Sequence, residues 1–212
     1  MPVELKSRQY RNFQKKIRAL TDEEDKFIVE GYATTFDDPY LLYSDSDIEI
    51  YETVSRDAFT DVNLEDVIFQ YDHTGRVYAR TSNNTLKLEV DEKGLKVTAD
   101  LGGTEIGRNL YEEIKGGYTT KMSWGFSLDH EMDVERIRSY DKDKDKTIVK
   151  QIIKGIRKIY DVSAVSLPAN DATEISARNF SMGVIEKIKA ERLKERLNLE
   201  KSKLKLMLNM EG

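Results

Sequence analysis

Apolar and polar residues alternate along much of the chain between residues 26 and 166, the period of strands with one buried face. The clearest case is a hairpin, in which Leu86, Leu88 and Val90 alternate with polar residues before the turn DEKG, and the alternation resumes at Leu95. Similar runs are KFIVEGYATTF, DIEIYETV, VIFQYDH, KMSWGFSLDHE, VERIRSY and TIVKQIIKGIRKIYDVSAVSL. The pattern predicts a strand-dominated α+β body, consistent with a barrel or half-barrel.

Two stretches have helical periodicity instead. In TEIGRNLYEEIK, Ile106, Leu110 and Ile114 recur on one face, Thr104 is placed to cap the first amides, and Gly116 is placed to end the helix. Within 181–212, charged residues surround two apolar strips, so we expect a long helix that packs on the body, on another copy or on a partner. One strip consists of Ala190, Leu193, Leu197, Leu204 and Leu208.

The pattern of charged and apolar residues predicts three parts of the chain. Residues 1–24 are charged and weakly periodic, and form either an N-terminal arm or a first edge strand. Residues 25–180 form the strand-rich body, and residues 181–212 form the amphipathic helix.

Composition excludes several classes of protein. The chain has no cysteine, which removes disulfides, thiolate metal sites and cysteine nucleophiles, and it has only two histidines. Its net charge of -5 argues against a general nucleic-acid binder, although a basic tail is present: residues 184–212 hold eight Lys/Arg against five Asp/Glu. No apolar run approaches the roughly 20 residues that span a bilayer, and no secretion signal precedes the body. We expect a soluble, cytoplasmic protein.

No metal or cofactor site is predicted. The alternating aspartates of DKDKDK, residues 141–146, superficially suggest calcium, but Lys146 and Ile152 stand where an EF-hand loop needs glycine and glutamate. We interpret this segment as a solvated hairpin loop. Two histidines without cysteine give no zinc spacing either.

Three residues could carry hydrolytic chemistry. His73 ends an apolar strand before a turn, a common place for a catalytic base, although an isolated histidine is more often a surface group. Ser123 opens a strand in KMSWGF and would need an adjacent base to act as a nucleophile. Asp161 lies in a largely apolar strand and either orients an imidazole or forms a structural salt bridge. His130 competes with His73, but an odd separation from Ser123 puts the two on opposite faces of a regular strand.

Taken in order, three segments of the chain resemble the prohead protease family of tailed phages. They are YDHTGR at 71–76, KGGYTTKMSWGFS at 115–127 and IYDVSAVSLPANDA at 159–172, and GYATTF at 31–36 matches the opening of the family. Each motif is modest alone, but the ordered set is specific. The resemblance covers roughly residues 27–178.

The resemblance implies a fold similar to the herpesvirus assembly proteases, a β-barrel with flanking helices. By motif, Ser123 becomes the nucleophile, His73 the general base and Asp161 the third member, at a position where the family usually has glutamate. Trp124, where the family often has a small or aliphatic residue, is a second departure and a candidate to shape the substrate pocket.

Support for the oxyanion is the least determined part of the expected site. Backbone amides must hold the oxyanion. Arg76 and Arg80 are candidates to support this oxyanion-binding site. Gly125 has no side chain and allows a backbone to approach the strand closely.

The resemblance also implies a biological setting. The expected substrates are the scaffold protein, the N-terminal part of the major capsid protein and the protease itself, inside the immature capsid in the host cytoplasm. A homodimer is possible, and neither nucleic acid nor a membrane is an expected partner. The helix 181–212 would be a targeting segment, a scaffold-binding segment or a self-cleaved tail, so its deletion is expected to spare hydrolysis and abolish packaging.

Other classes of protein remain as alternatives. A non-enzymatic capsid-assembly or scaffold factor would suit the charged helix but has little need of a strand-rich body. A catalytically dead relative is disfavoured because His73 and Ser123 are both present. An esterase remains open on the three candidate residues alone, although the family resemblance disfavours it.

Overall fold

The computed structural model describes residues 8–20, 26–128, 131–166 and 171–210. Within these ranges it has thirteen strands, two α-helices and three short 3-10 turns, so the predicted strand-dominated α+β class is confirmed. The strands are β1 (Gln9–Lys16), β2 (Arg18–Ala19), β3 (Ile28–Thr35), β4 (Tyr40–Ser44), β5 (Ile48–Val54), β6 (Ile68–Tyr71), β7 (Thr74–Arg80), β8 (Leu86–Val90), β9 (Gly94–Asp100), β10 (Lys121–Ser127), β11 (Val134–Asp141), β12 (Lys146–Ile153) and β13 (Lys158–Val165). The helices are α1 (Glu105–Lys115) and α2 (Asp171–Met210), and the 3-10 turns are Arg56–Phe59, Thr81–Asn83 and Glu131–Asp133.

The strands form three separate sheets, with the orders β1-β10-β13-β6-β7, β11-β12-β5-β4 and β2-β3-β9-β8. The expectation of a closed barrel is therefore corrected: among the described residues no sheet closes on itself. The physical reason lies at the edges of the five-stranded sheet. β1 packs against α2, and β7 runs into the 3-10 turn Thr81–Asn83 before β8 joins another sheet. Residues 9–16, in the predicted N-terminal arm, form an edge strand, which was one of the two alternatives.

The main core lies between the five-stranded sheet and the sheet of β3 and β9. Successive residues of a strand point to opposite faces, so every second residue of β10 enters this core. Met122, Trp124 and Phe126 are those residues, and all three are completely buried. Ser123 and Gly125 consequently face the other side of the sheet.

Several local predictions are confirmed. β8 and β9 form the expected hairpin, and the carboxylate of Asp91 in its turn accepts the amides of Lys93 and Gly94 at 2.8 and 2.9 Å. The side chain of Thr104 caps α1 by accepting the amide of Gly107 at 3.1 Å. The DKDKDK segment connects the antiparallel strands β11 and β12 as a hairpin loop.

The long helix α2 begins at Asp171, ten residues before the expected boundary. Ile185 and Ile188 of α2 form a second apolar cluster with residues of β5 and β12, which are Ile48, Ile50 and Val149. Farther along, Leu193 and Leu197 are 60% and 48% exposed. The second predicted apolar strip, which consists of Ile185, Ile188, Leu199 and Leu206, thus packs on the body at its first two residues, whereas Leu199 is 57% exposed. No helix in the described part of the chain is long and apolar enough to cross a membrane.

Candidate active site

Ser123 lies on β10, the second strand of the five-stranded sheet, on the face opposite the core. Its neighbour Trp124 fixes this orientation, because the indole is stacked between Phe126 and Phe59, with ring centroids 4.2 and 6.0 Å away. The Ser123 hydroxyl donates to the carbonyl oxygen of Arg11 on the adjacent strand β1 at 2.8 Å. The side chain is completely buried.

His73 is presented by a two-residue turn between β6 and β7. Asp72 and His73 both have left-handed backbone conformations, with φ of 47° and 58°, and Tyr71 pairs with Thr74 across the turn. Two consecutive left-handed residues define the tight hairpin turn that matches strand twist, for which Asn-Gly is the usual sequence. The Asp72 amide donates to the carbonyl of Ala164 at 3.0 Å, which ties the turn to β13.

Asp161 lies on β13, between the strands that carry the other two residues. Its Oδ2 is hydrogen-bonded to Nδ1 of His73, and Nε2 of the same ring is 2.5 Å from Oγ of Ser123. The structure thus brings together three residues that are 38 to 88 positions apart in sequence. Asp161 is fully buried and the side chain of His73 is 7% exposed.

Proton positions follow from this geometry. The Ser123 hydroxyl carries one proton, which it donates either to the Arg11 carbonyl or to Nε2 of His73. With Nδ1–H donated to Asp161, a neutral imidazole leaves Nε2 as the acceptor. The arrangement can therefore draw a proton from serine into an imidazole whose other nitrogen is held by a carboxylate.

The carboxylate of Asp161 is kept ionised. Burial raises the pKa of this carboxyl, but hydrogen bonding and charge from His73, and then the charge of Arg8, more than offset the burial, so that the pKa lies below its ordinary value. Arg8 Nη2 forms an ion pair with Oδ1, the oxygen that His73 does not use.

Sequence reasoning missed three residues of this cluster. Ser163 donates to Oδ2 of Asp161 at 3.0 Å and lies 3.2 Å from Nδ1 of His73. Its position two residues after Asp161 on a strand was a usable signal, since both must face the same side. The Tyr10 ring packs on the His73 ring with centroids 4.5 Å apart. Neither Tyr10 nor Arg8 had a signal in sequence.

The remaining predicted residues are placed as follows. Gly125 is directly beside Asp161 in the sheet register, whereas Trp124 lies in the core and does not face Ser123. Arg80 is at the far end of β7, roughly 20 Å along the strand from His73, and its guanidinium pairs with Asp66 at 2.7 and 3.0 Å. Arg76 is exposed on β7. The competing residue His130 lies outside the described residues.

Among the described residues, no group of three or more His, Asp or Glu is arranged to hold a metal ion.

Comparison with known proteins identifies the family of the chain. Residues 14–188 match the Caudovirus prohead serine protease family. No curated protein and no solved structure matches the chain. The matched range includes Ser123, His73 and Asp161 and begins after Arg8. Because it spans most of the 212 residues, the chain belongs to the caudovirus prohead serine proteases, the peptidases of bacteriophage capsid maturation.

Proposed function

We propose that this chain is a serine endopeptidase in which Ser123 is the nucleophile, His73 the general base and Asp161 the residue that orients His73. The observation that carries the proposal is the continuous contact from Ser123 Oγ through both ring nitrogens of His73 to the buried Asp161. An isolated serine hydroxyl is almost never ionised at neutral pH, and such a contact supplies the missing base.

The first half of the reaction is acylation. Ser123 Oγ attacks the carbonyl carbon of the scissile peptide while Nε2 of His73 takes the hydroxyl proton. The resulting imidazolium donates Nδ1–H to the carboxylate of Asp161, which stabilises its charge and fixes the tautomer. His73 then gives the Nε2 proton to the leaving amine, the C–N bond breaks, and the acyl group remains on Ser123.

The second half is hydrolysis of this ester. Water attacks the acyl carbon and passes its proton to Nε2, and the proton returns to Oγ as the ester bond breaks. Backbone amides are the expected donors to the oxyanion in both halves. The supporting roles predicted for four further residues stay predictions. These residues are Arg76, Arg80, Gly125 and Trp124.

We further propose that the substrates are the scaffold protein, the major capsid protein and the protease itself, inside the immature capsid. Family membership supports this choice, because the family acts in capsid maturation. The possible homodimer, and the absence of nucleic acid and membrane partners, remain predictions.

Access to Ser123 requires movement of the protein. The Ser123 side chain is completely enclosed, with the Arg11 carbonyl and the His73 ring in direct contact. A scissile carbonyl must reach Oγ from the face of the sheet opposite the core, so we expect the parts of the chain over that face to be displaced when a substrate or a serine-directed reagent binds.

The test is intact-mass analysis of wild type and Ser123→Ala, each co-expressed with the matching capsid and scaffold proteins. Defined truncations that occur with wild type and vanish with Ser123→Ala support the proposal. Identical truncations with both proteins remove Ser123 from the mechanism. Intact substrates with both proteins favour the alternative of a non-enzymatic assembly factor on a protease-like fold.

A further inference from the structure

We infer that Arg8, from the segment before β1, is a positioning residue that acts on His73 through Asp161. The inference rests on the proposed function, since it assigns a task only if His73 is the base. Arg8 precedes the range 14–188 that matches the family, so the feature lies outside the part of the chain that the match describes.

The two carboxylate oxygens of Asp161 have different partners. Oδ2 is used by His73 Nδ1 and by Ser163 Oγ, and Oδ1 pairs with the Arg8 guanidinium. A buried carboxylate is unfavourable unless it is paired and hydrogen-bonded. Arg8 supplies the positive charge, and because it holds Oδ1 it also sets the rotation of the carboxylate and thereby the direction of Oδ2.

The side chains around Arg8 accommodate its guanidinium group. Its guanidinium carbon is 5.2 Å from the centroid of the Tyr10 ring and 5.1 Å from that of Tyr160, so aromatic faces lie on two sides. The bare Cα of Gly125 leaves room for the pair, because a Cβ there would overlap Oδ1 of Asp161 and come within 2.8 Å of Arg8 Nε.

The strand that follows Arg8 is firmly anchored, which makes the position reproducible. Arg11, three residues along the chain, is 1% exposed and forms an ion pair with the fully buried Glu52 at 2.5 and 3.1 Å. Glu52 also accepts the side-chain amide of Gln151 at 2.6 Å. A charged pair at this depth can be broken only at a large cost in free energy, so β1 stays in register beside Ser123.

Charge gives a readout that a purely structural role would not. The positive charge of Arg8 partly neutralises the negative charge of Asp161, so the carboxylate stabilises the imidazolium form of His73 less than it would alone. Among the described residues, the other titratable groups against this pair are Tyr10 and Tyr160, and Lys158 lies 5.6 Å from the Tyr160 ring. Loss of the Arg8 charge should therefore shift the acid limb of the pH–rate profile to higher pH.

The experiment follows the transfer of a diisopropylphosphoryl group to Ser123 of the purified full chain from diisopropyl fluorophosphate, with fluoride as the leaving group, measured by intact mass between pH 5 and pH 9. Four proteins besides wild type are compared: Arg8→Gln, Arg8→Lys, Ser123→Ala and the matched surface control Arg18→Gln. Arg18 pairs with Glu30 on an exposed site, with 72% of its side chain exposed. We expect Arg8→Gln to react about 10- to 100-fold more slowly and the acid limb of its pH–rate profile to move to higher pH. Arg8→Lys and Arg18→Gln should keep the wild-type limb.

The possible outcomes separate this inference from the proposed function. If wild type is labelled on Ser123 and the Arg8→Gln limb stays at the wild-type pH, the positioning role of Arg8 is wrong and the serine mechanism stands. If wild type is not labelled, or Ser123→Ala is labelled equally, the proposed function itself fails and the role of Arg8 fails with it. A shifted limb that Arg8→Lys restores establishes the role.

Discussion

Substitution of Gly125 by alanine is the sharpest test of how closely the site is packed. A Cβ at this position overlaps Oδ1 of Asp161 and lies 2.8 Å from Arg8 Nε and 3.1 Å from Cε1 of Tyr10. All three are side-chain atoms, so the backbone can stay in place while the carboxylate moves. We expect the hydrogen bond from His73 to Asp161 to be displaced more than the fold is.

The expected magnitudes differ for stability and rate. An extra methyl group in a packed site typically lowers the free energy of unfolding by about 1–3 kcal/mol. A displacement near 1 Å of a group that orients the reacting atoms lowers a rate about 100-fold. Gly125→Ala should therefore remain folded at 25 °C, with a modest fall in the denaturant midpoint, while labelling of Ser123 by diisopropyl fluorophosphate falls by two orders of magnitude.

Gly183 provides the matched control. It lies in α2 with no atom within 4 Å of a built Cβ, so alanine there should raise the free energy of unfolding by about 0.5–1 kcal/mol and leave the labelling rate unchanged. A double variant, Gly125→Ala with Arg8→Gln, should lose less than the sum of the two single changes, because both act on Asp161. Wild-type labelling in Gly125→Ala would refute the packing argument.

Three other predictions concern stability. Arg11→Met leaves the buried charge of Glu52 unpaired and should lower the free energy of unfolding by about 3–5 kcal/mol, measured by urea denaturation. Burial raises the pKa of Asp45, but hydrogen bonds from a lysine of α2 and from backbone amides hold that pKa at about 2, below its ordinary 3.8. The ionised carboxylate therefore stabilises the fold fully above pH 3.8, and this stabilisation is lost as the pH falls toward 2. Asp45→Asn should flatten the acid-unfolding curve between these two pH values. Removal of 193–212 should spare folding, whereas removal of 181–212 uncovers the apolar face of β5 and β12 and should lower the unfolding midpoint, both measured by thermal denaturation.

The last of these comparisons bears on the predicted role of the helix 181–212. Ile185 and Ile188 pack on the body, so deletion from residue 181 changes stability as well as any contact with a partner. Deletion from residue 193 leaves this packing intact. A packaging assay with the shorter deletion therefore tests a targeting role without the loss of the second apolar cluster.

Sequence alone could predict the elements whose pattern is local. The alternation around Ser123 identifies β10 and puts Ser123 and Trp124 on opposite faces. Thr104 marks the start of α1 because its side chain caps the amide of the residue three positions later. These signals depend on the period of a strand or a helix, which the tertiary structure does not change.

The position of His73 could not be predicted in the same way. The sequence predicted a turn after His73, but Asp-His is an unusual pair for two left-handed residues, so it did not indicate that His73 itself lies in a tight hairpin turn. The turn is maintained by tertiary contacts, including the bond from the Asp72 amide to Ala164 and the hydrogen bond of His73 to Asp161. Left-handed conformations of residues with a Cβ cost about 1 kcal/mol or more, and here that strain coincides with the proposed base.

The opposite faces of β10 explain why the site depends on the core. Met122, Trp124 and Phe126 lock one face into the main apolar cluster, so Ser123 and Gly125 have fixed positions on the other. β13 repeats this division, with Val162 and Ala164 in the core and Asp161 and Ser163 in the site. Core packing resists displacement because interiors are close-packed. The spacing between the strand positions of nucleophile and carboxylate is thus set by the register of two adjacent strands, whereas the base lies on a strained turn that is held by the Asp72 to Ala164 bond and by the hydrogen bond of His73 to Asp161.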